Sequence, residues 1–211
     1  MDANFIIYML LGMGASFVGT IPVGPINISV VATTLKRNMR AGIIFSGSAA
    51  VVEIFQSFIA LQFGVLLSTL LFSNPWFRIA VAAVFFLIGL IFIFKKQKVV
   101  VKESSKRNLP SWASGLIVSL LNPQALPFWV FVFGFYQSSS LIDMQLLSLE
   151  QMSCVMSFLI GVYLGKFAAL SLYSYLSYYL SSRIGKLTFW MNKILGTVFI
   201  ILALSQLWEI L

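Results

Sequence analysis

The sequence predicts an all-α integral membrane protein with about six transmembrane helices, arranged as two inverted three-helix repeats. Its composition is 60% hydrophobic and only 9% charged, whereas roughly a quarter of the residues of a soluble domain are charged. The apolar runs are long and continuous, and basic residues cluster in alternate connections between them. Since barrel strands would instead alternate in polarity over about 10 residues, helices are strongly favoured.

We place the spans at residues 5–34, 41–72, 76–94, 112–135, 152–180 and 187–208. The first, second and fifth are longer than the roughly 20 residues that a straight crossing needs, so tilt or helix breaks must absorb the excess. The chain begins with Asp2 and no basic residue, unlike a secretory signal peptide. The first span is therefore predicted to be retained.

The basic residues give the predicted topology. Of 14 in the chain, all but Arg78 and Lys166 lie in the connections after spans one, three and five, extending into the start of span six. Such connections face the cytoplasm, which predicts a multi-pass inner (plasma) membrane protein with both termini outside. The long basic connection divides the chain into repeat one (1–94), a cytoplasmic linker (95–111) and repeat two (112–211). Because each repeat has an odd number of spans, the repeats run in opposite directions.

Each repeat opens with a span that contains two prolines beside an asparagine. Proline within a helix removes one donor and frees a backbone carbonyl, which in lipid must find another partner or line a cavity. Asn122 before Pro123 is also typical of a helix N-terminus, where N–H groups and the positive dipole end favour anions. A packing kink explains one such break, but two at matching places favour a substrate site. The candidate residues are Pro22, Gly24, Pro25, Asn27, Asn122, Pro123 and Gln124.

Two ionisable residues lie deep within predicted spans. Glu53 is near the middle of span two, on a face of small and polar residues that includes Gln56, and Lys166 is near the middle of span five. Burying either one unpaired at the centre of a bilayer is costly, so such residues usually mark a transport pathway. We interpret them as an ion-coupling site or a charge pair. The alternative is a purely structural ion pair that fixes helix register.

The sequence lacks the residues that several classes of function usually require. The chain has no histidine and a single cysteine, and it contains no phosphate-binding loop of the Walker type. We therefore expect no catalytic residue, no metal, no cofactor and no nucleic-acid partner. The tyrosine cluster at 173–179 is interpreted as an interfacial belt.

The segment from Pro22 to Asn27, followed by a basic turn and Ala41-Gly42, resembles the opening of the lysine-exporter (LysE/RhtB-type) translocators. The segment from Leu121 to Ala125 resembles the same family's Asn-Pro motif early in the fourth span. The resemblance implies a secondary exporter of amino acids or related metabolites, driven by proton or cation antiport. The positions that match the family's motifs are Pro22, Gly24, Pro25, Asn27, Asn122 and Pro123. Glu53 and Lys166 are instead inferred from the cost of burying a charge alone.

Other functions stay open on the sequence. The protein could export a solute other than an amino acid, act as an assembly or structural subunit of a larger membrane complex, or form a passive channel. An intramembrane enzyme is disfavoured, because Glu53 is the single deep acidic residue and no histidine is present. The expected partners are the lipid bilayer, a small-molecule substrate and a proton or cation, and a homo-oligomer is compatible with the sequence.

Overall fold

The computed structural model of the protein describes residues 3–73, 109–122, 124–138 and 151–182, together with a few single positions beyond these ranges. The regular structure of these ranges is entirely helical, as predicted. The helices are α1 (Ala3–Thr20), α2 (Pro25–Lys36), α3 (Met39–Ser73), α4 (Ser111–Leu120), α5 (Ala125–Ser138), α6 (Met152–Tyr175) and the short α7 (Ser177–Ser181).

The chain forms two compact units. The first contains Met1–Val65 and Val101–Ser182, and the second contains Leu66–Val100 and Arg183–Leu211. All contacts described below lie within the first unit. The predicted third and sixth spans, at 76–94 and 187–208, belong to the second unit and, apart from single positions, lie outside the described residues. The inverted relation between the two repeats stays a prediction.

Four of the predicted spans correspond to described helices. Met39–Phe63 and Met152–Tyr175 are each long and apolar enough to cross a membrane. Two helix pairs would each cross as one bent span, α1 with α2 at 77° and α4 with α5 at 64°. The bends fall at the two Pro/Asn segments, so the predicted breaks in the first and fourth spans are confirmed.

Glycines bring α1 and α6 into backbone contact. A Cβ placed on Gly161 would overlap the Met9 carbonyl oxygen, and one on Gly165 would overlap that of Met13. Gly12 of α1 faces the Phe158 carbonyl in the same way. Without a hydrophobic driving force between helices in lipid, such small residues allow the close packing that holds spans together.

An aromatic core fills the space between α5 and α6. Trp129, Phe133 and Phe158 are fully or almost fully buried, and their rings lie 5.5–5.9 Å apart between centroids. Aromatic pairs at such separations add to the stability that burial provides. This core positions the first turns of α5, and with them the indole of Trp129.

Candidate functional site

The first helix break is closed by side chains rather than left open to lipid. Helix α2 begins at Pro25, where the missing N–H removes a donor that would have no intrahelical partner. The Asn27 side chain accepts a hydrogen bond from the Gly24 N–H at 3.2 Å and donates one to the Thr20 carbonyl at 2.6 Å. Asn27 is buried, so its amide replaces the backbone bonds that the break interrupts. Pro22 lies half-buried within the same turn.

Helix α5, which follows the second break, begins later than the sequence suggests. The Asn122 side chain accepts a hydrogen bond from the Gln124 N–H at 3.3 Å. The first bond of α5 runs from the Phe128 N–H to the Gln124 carbonyl at 3.1 Å, which makes Gln124 the capping position instead of Asn122. The Asn122 side chain thus stabilises the turn that precedes the helix. Pro123 lies outside the described residues.

The two breaks lie side by side. A Cβ placed on Gly24 would be 3.5 Å from the Gln124 side-chain oxygen and 3.7 Å from that of Asn27. A Cβ at position 24 would therefore make ordinary van der Waals contact with both amide oxygens. The N-terminus of α2 therefore faces the turn before α5, with two amide side chains between them.

Glu53 and Lys166 form a buried ion pair. Glu53 Oε2 lies 3.1 Å from Lys166 Nζ, and the two side chains are only 4% and 8% exposed. Burying a charge without a partner is strongly unfavourable, and pairing offsets part of that penalty. The structure thus brings together the two deep charges of the predicted spans.

The two carboxylate oxygens of Glu53 are held differently. The Trp129 indole N–H donates a hydrogen bond to Oε1 at 2.9 Å. Among the described residues Oε2 has Lys166 as its ionic partner but accepts no hydrogen bond of good geometry. One oxygen is therefore fixed by α5, whereas the other can change partner without breaking a hydrogen bond.

Glu53 also lies against the first half of the broken α4–α5 span. One turn beyond it, the Gln56 side chain donates to the Ser119 carbonyl at 3.1 Å. One turn before it, the Ala49 carbonyl accepts from the Ser119 hydroxyl at 3.2 Å. The Gln56 side-chain oxygen is buried and has no hydrogen-bond partner among the described residues. Helix α3 therefore presents two acceptors one turn apart, Glu53 Oε2 and Gln56 Oε1, that a ligand donor could use.

Lys166 is carried by the helix that supports the first break. Its neighbour Gly165 packs against the backbone of α1. Two turns further along α6, the Tyr173 hydroxyl donates to the Ile21 carbonyl within the break. The ion pair therefore joins α3, which is bonded through Trp129 to the helix that follows the second break, to α6, which is bonded to the first break through Tyr173. No hydrogen bond or ion pair of the described residues links the break residues directly to either charge.

Sequence reasoning missed Trp129 and misread Tyr173. The other four tryptophans, Trp76, Trp112, Trp190 and Trp208, lie at or near the ends of predicted spans, as indole rings at a membrane interface do. Trp129 lies within the fourth span, and a tryptophan away from both interfaces signals a buried hydrogen bond. Tyr175 and Tyr179 are 74% and 82% exposed, and their place in an interfacial belt stays a prediction. Tyr173 was grouped with them, but its hydroxyl bonds to the first break.

Replacing Trp129 with phenylalanine should lower the free energy of unfolding by about 1.5–3 kcal/mol, the usual contribution of a hydrogen bond to a charged group. The loss combines the N–H donated to Glu53 with the cavity that the smaller phenyl ring leaves at this fully buried position. Thermal unfolding in detergent measures it. The matched control is Trp112→Phe at a 55% exposed position, where a change within about 0.5 kcal/mol is expected. Equal effects of the two substitutions would show that the Glu53 contact contributes nothing.

The ends of α2 and α4 nearest the basic connections are tied together by Arg37. Its guanidinium donates to the Leu109 carbonyl at 2.6 Å and to the Ser111 hydroxyl at 3.1 Å. Toward the opposite end of the same two bent spans, the Tyr136 hydroxyl of α5 donates to the Leu11 carbonyl of α1 at 2.9 Å. The two broken spans are therefore bonded to each other on both sides of the breaks.

Comparison with known proteins gives a family. A sequence model of the family described as LysE type translocator matches residues 17–209 of the chain. No curated protein and no solved structure matches the chain. The match covers both helix breaks and both buried charges, so these features lie within the region that the family model describes.

Proposed function

This chain belongs to the LysE type translocator family, and from that premise we propose that it is a secondary active exporter in the cell's inner membrane. Its substrates are amino acids or related small metabolites, and proton or cation antiport drives their export. Members of the family are transporters, not enzymes, and their apolar helices embed them in the membrane. The identities of the substrate, of the coupling ion and of the membrane belong to this proposal.

The observation that carries the proposal is the buried Glu53–Lys166 pair. Two charges in the middle of a span are costly even when paired, and a protein whose helices only need to pack can use apolar residues there. The pair also lies between α3, which is bonded through Trp129 to the helix after the second break, and α6, which is bonded through Tyr173 to the first break. Such hydrogen bonds to neighbouring helices are expected at a site where ligand binding must move those helices.

The proposed mechanism is alternating access between repeat one (1–94) and repeat two (112–211). The bent spans meet at Gly24 and Gln124, and the N-terminus of α2 offers N–H groups and a positive dipole end to a substrate carboxylate. Asn27 and Asn122 hold the two turns in shape, because their side-chain oxygens accept bonds from the local backbone. When one face opens, the contacts of Arg37 or of Tyr136 must separate.

Coupling follows from competition at Glu53. Its Oε2 atom accepts no hydrogen bond from the described residues, so it can exchange Lys166 for a substrate ammonium or accept a counter-transported proton. A single carboxylate cannot bind both at once. Release of substrate on one side would then alternate with entry of a proton from the other side. This alternation is antiport.

The variants Asn27→Ala and Glu53→Gln test these roles. Both are expected to insert in the membrane but to reduce amino-acid export at least about 100-fold, as the loss of a group essential for binding or coupling does. Membrane content is measured by immunoblot and export by loss of radiolabelled amino acids from loaded cells. The matched control is Glu150→Gln, an acidic residue outside the predicted spans, which should export normally. Normal export by both site variants would rule out these assignments.

A further inference from the structure

The two charges near the middle of predicted spans, Glu53 and Lys166, cancel each other. The chain has six acidic residues, and all except Glu53 lie outside the predicted spans, namely Asp2, Glu103, Asp143, Glu150 and Glu209. Glu53 is already paired with Lys166. Any further positive charge brought to this pair would therefore have no carboxylate of its own.

Three backbone carbonyls at or beside the two breaks already accept side-chain hydrogen bonds. The Thr20 carbonyl accepts from Asn27, and the Ile21 carbonyl accepts from Tyr173. The Ser119 carbonyl, just before the second break, accepts from Gln56. Freed carbonyls are the groups that could otherwise replace the water around a cation within a membrane. Beside the pair, the described residues leave the Gln56 side-chain oxygen open, but a neutral amide oxygen does not balance a further positive charge.

We infer, on the basis of the proposed function, that the exported solute carries no net charge: one ammonium, one carboxylate and an uncharged side chain. Its ammonium pairs with Glu53, and its carboxylate pairs with Lys166 or with the first turn of α2. Glu53 then exchanges Lys166 for the solute ammonium, and the occluded site stays neutral because the solute adds one charge of each sign. A solute of net charge +1 or −1 leaves one charge buried and unpaired, which is strongly unfavourable.

The direction of charge movement is consistent with this inference. The solute-loaded site is neutral, so a membrane potential that is negative inside does not oppose its outward step. A proton that replaces the solute on Glu53 leaves the single charge of Lys166, and the same potential favours the inward movement of that charge. A cationic solute would have to move outward against it.

The test compares four radiolabelled amino acids in efflux from proteoliposomes of the purified wild-type protein. L-Glutamine and L-glutamate are nearly isosteric but differ in net charge, and L-norleucine and L-lysine are related in the same way. We expect efflux of glutamine, norleucine or both, with the charged member of the pair at least about 100-fold slower, equivalent to about 2.7 kcal/mol. Efflux of lysine or glutamate within tenfold of its neutral partner would overturn the inference and leave the exporter standing. If none of the four leaves, the proposed amino-acid export fails, and the inference fails with it.

A charge variant gives a second test. In Lys166→Met the pair loses its cation, so the cationic solute becomes the one that restores neutrality. The ratio of lysine to norleucine efflux should rise at least about tenfold over the wild-type ratio, while Lys36→Met, in the exposed basic turn, should keep the wild-type ratio. An unchanged ratio in folded Lys166→Met would overturn the inference, and the wild-type comparison decides alone if that variant does not fold.

Discussion

Replacing Lys166 with methionine is expected to lower the free energy of unfolding by about 3–5 kcal/mol, because Glu53 would stay buried beside Trp129 with no cation to balance it. The double variant Glu53→Gln with Lys166→Met removes both charges. It should recover most of that loss, since replacing a whole buried pair is often neutral. Thermal unfolding in detergent, followed for the wild type, both single variants and the double variant, measures the coupling between the two residues.

The same double variant separates a structural role from a functional one. If the pair only fixes helix register, a stable neutral replacement should still export. If Glu53 exchanges partners during transport, the double variant should be folded but inactive. Recovered stability together with wild-type export would contradict the functional assignment, whereas Lys36→Met controls for the loss of a lysine at an exposed position.

Alanine at Gly161 or Gly165 is expected to prevent the normal packing of α1 on α6. The added methyl group would overlap the Met9 or the Met13 carbonyl oxygen, and backbone cannot rotate away as a flexible side chain can. Overpacking of this kind costs about 1–3 kcal/mol or more. The measurements are the yield of monodisperse protein and its unfolding temperature.

Substitutions at two other glycines serve as controls, because they should stabilise the protein instead of destabilising it. A Cβ at Gly14 or Gly134 would meet nothing within 4 Å. Because alanine is favoured over glycine inside a helix, each substitution there should raise the free energy of unfolding by about 0.5–1 kcal/mol. Similar losses at all four positions would mean that helix packing does not explain the glycines on α1 and α6.

Local sequence signals predicted the helix breaks. Proline has no N–H and asparagine can replace a missing backbone partner, so the segments at Pro22–Asn27 and Asn122–Gln124 carried the information themselves. The start of α5 was placed too early, because the cap moved to Gln124 and the Asn122 side chain bonds to the preceding turn. Boundaries of this kind depend on how a turn closes in three dimensions.

The cost of burial identified Glu53 and Lys166 as important, but it did not show that they touch. Pairing depends on the packing of α3 against α6, which no periodicity of a single helix contains. The roles of Trp129 and Tyr173 were missed for the same reason. An indole or a phenol is typical of either a membrane interface or a buried bond, and only the neighbouring helices distinguish them.

The most direct test of the exporter is efflux from proteoliposomes of the purified protein loaded with a mixture of radiolabelled amino acids, with and without an imposed pH gradient that is acidic outside. Gradient-dependent loss of one or a few amino acids by the wild type, and its absence in Glu53→Gln, is the predicted result. Loss that ignores the gradient would indicate a passive channel. No loss of any amino acid, or equal loss from Glu53→Gln, would contradict amino-acid antiport through this carboxylate.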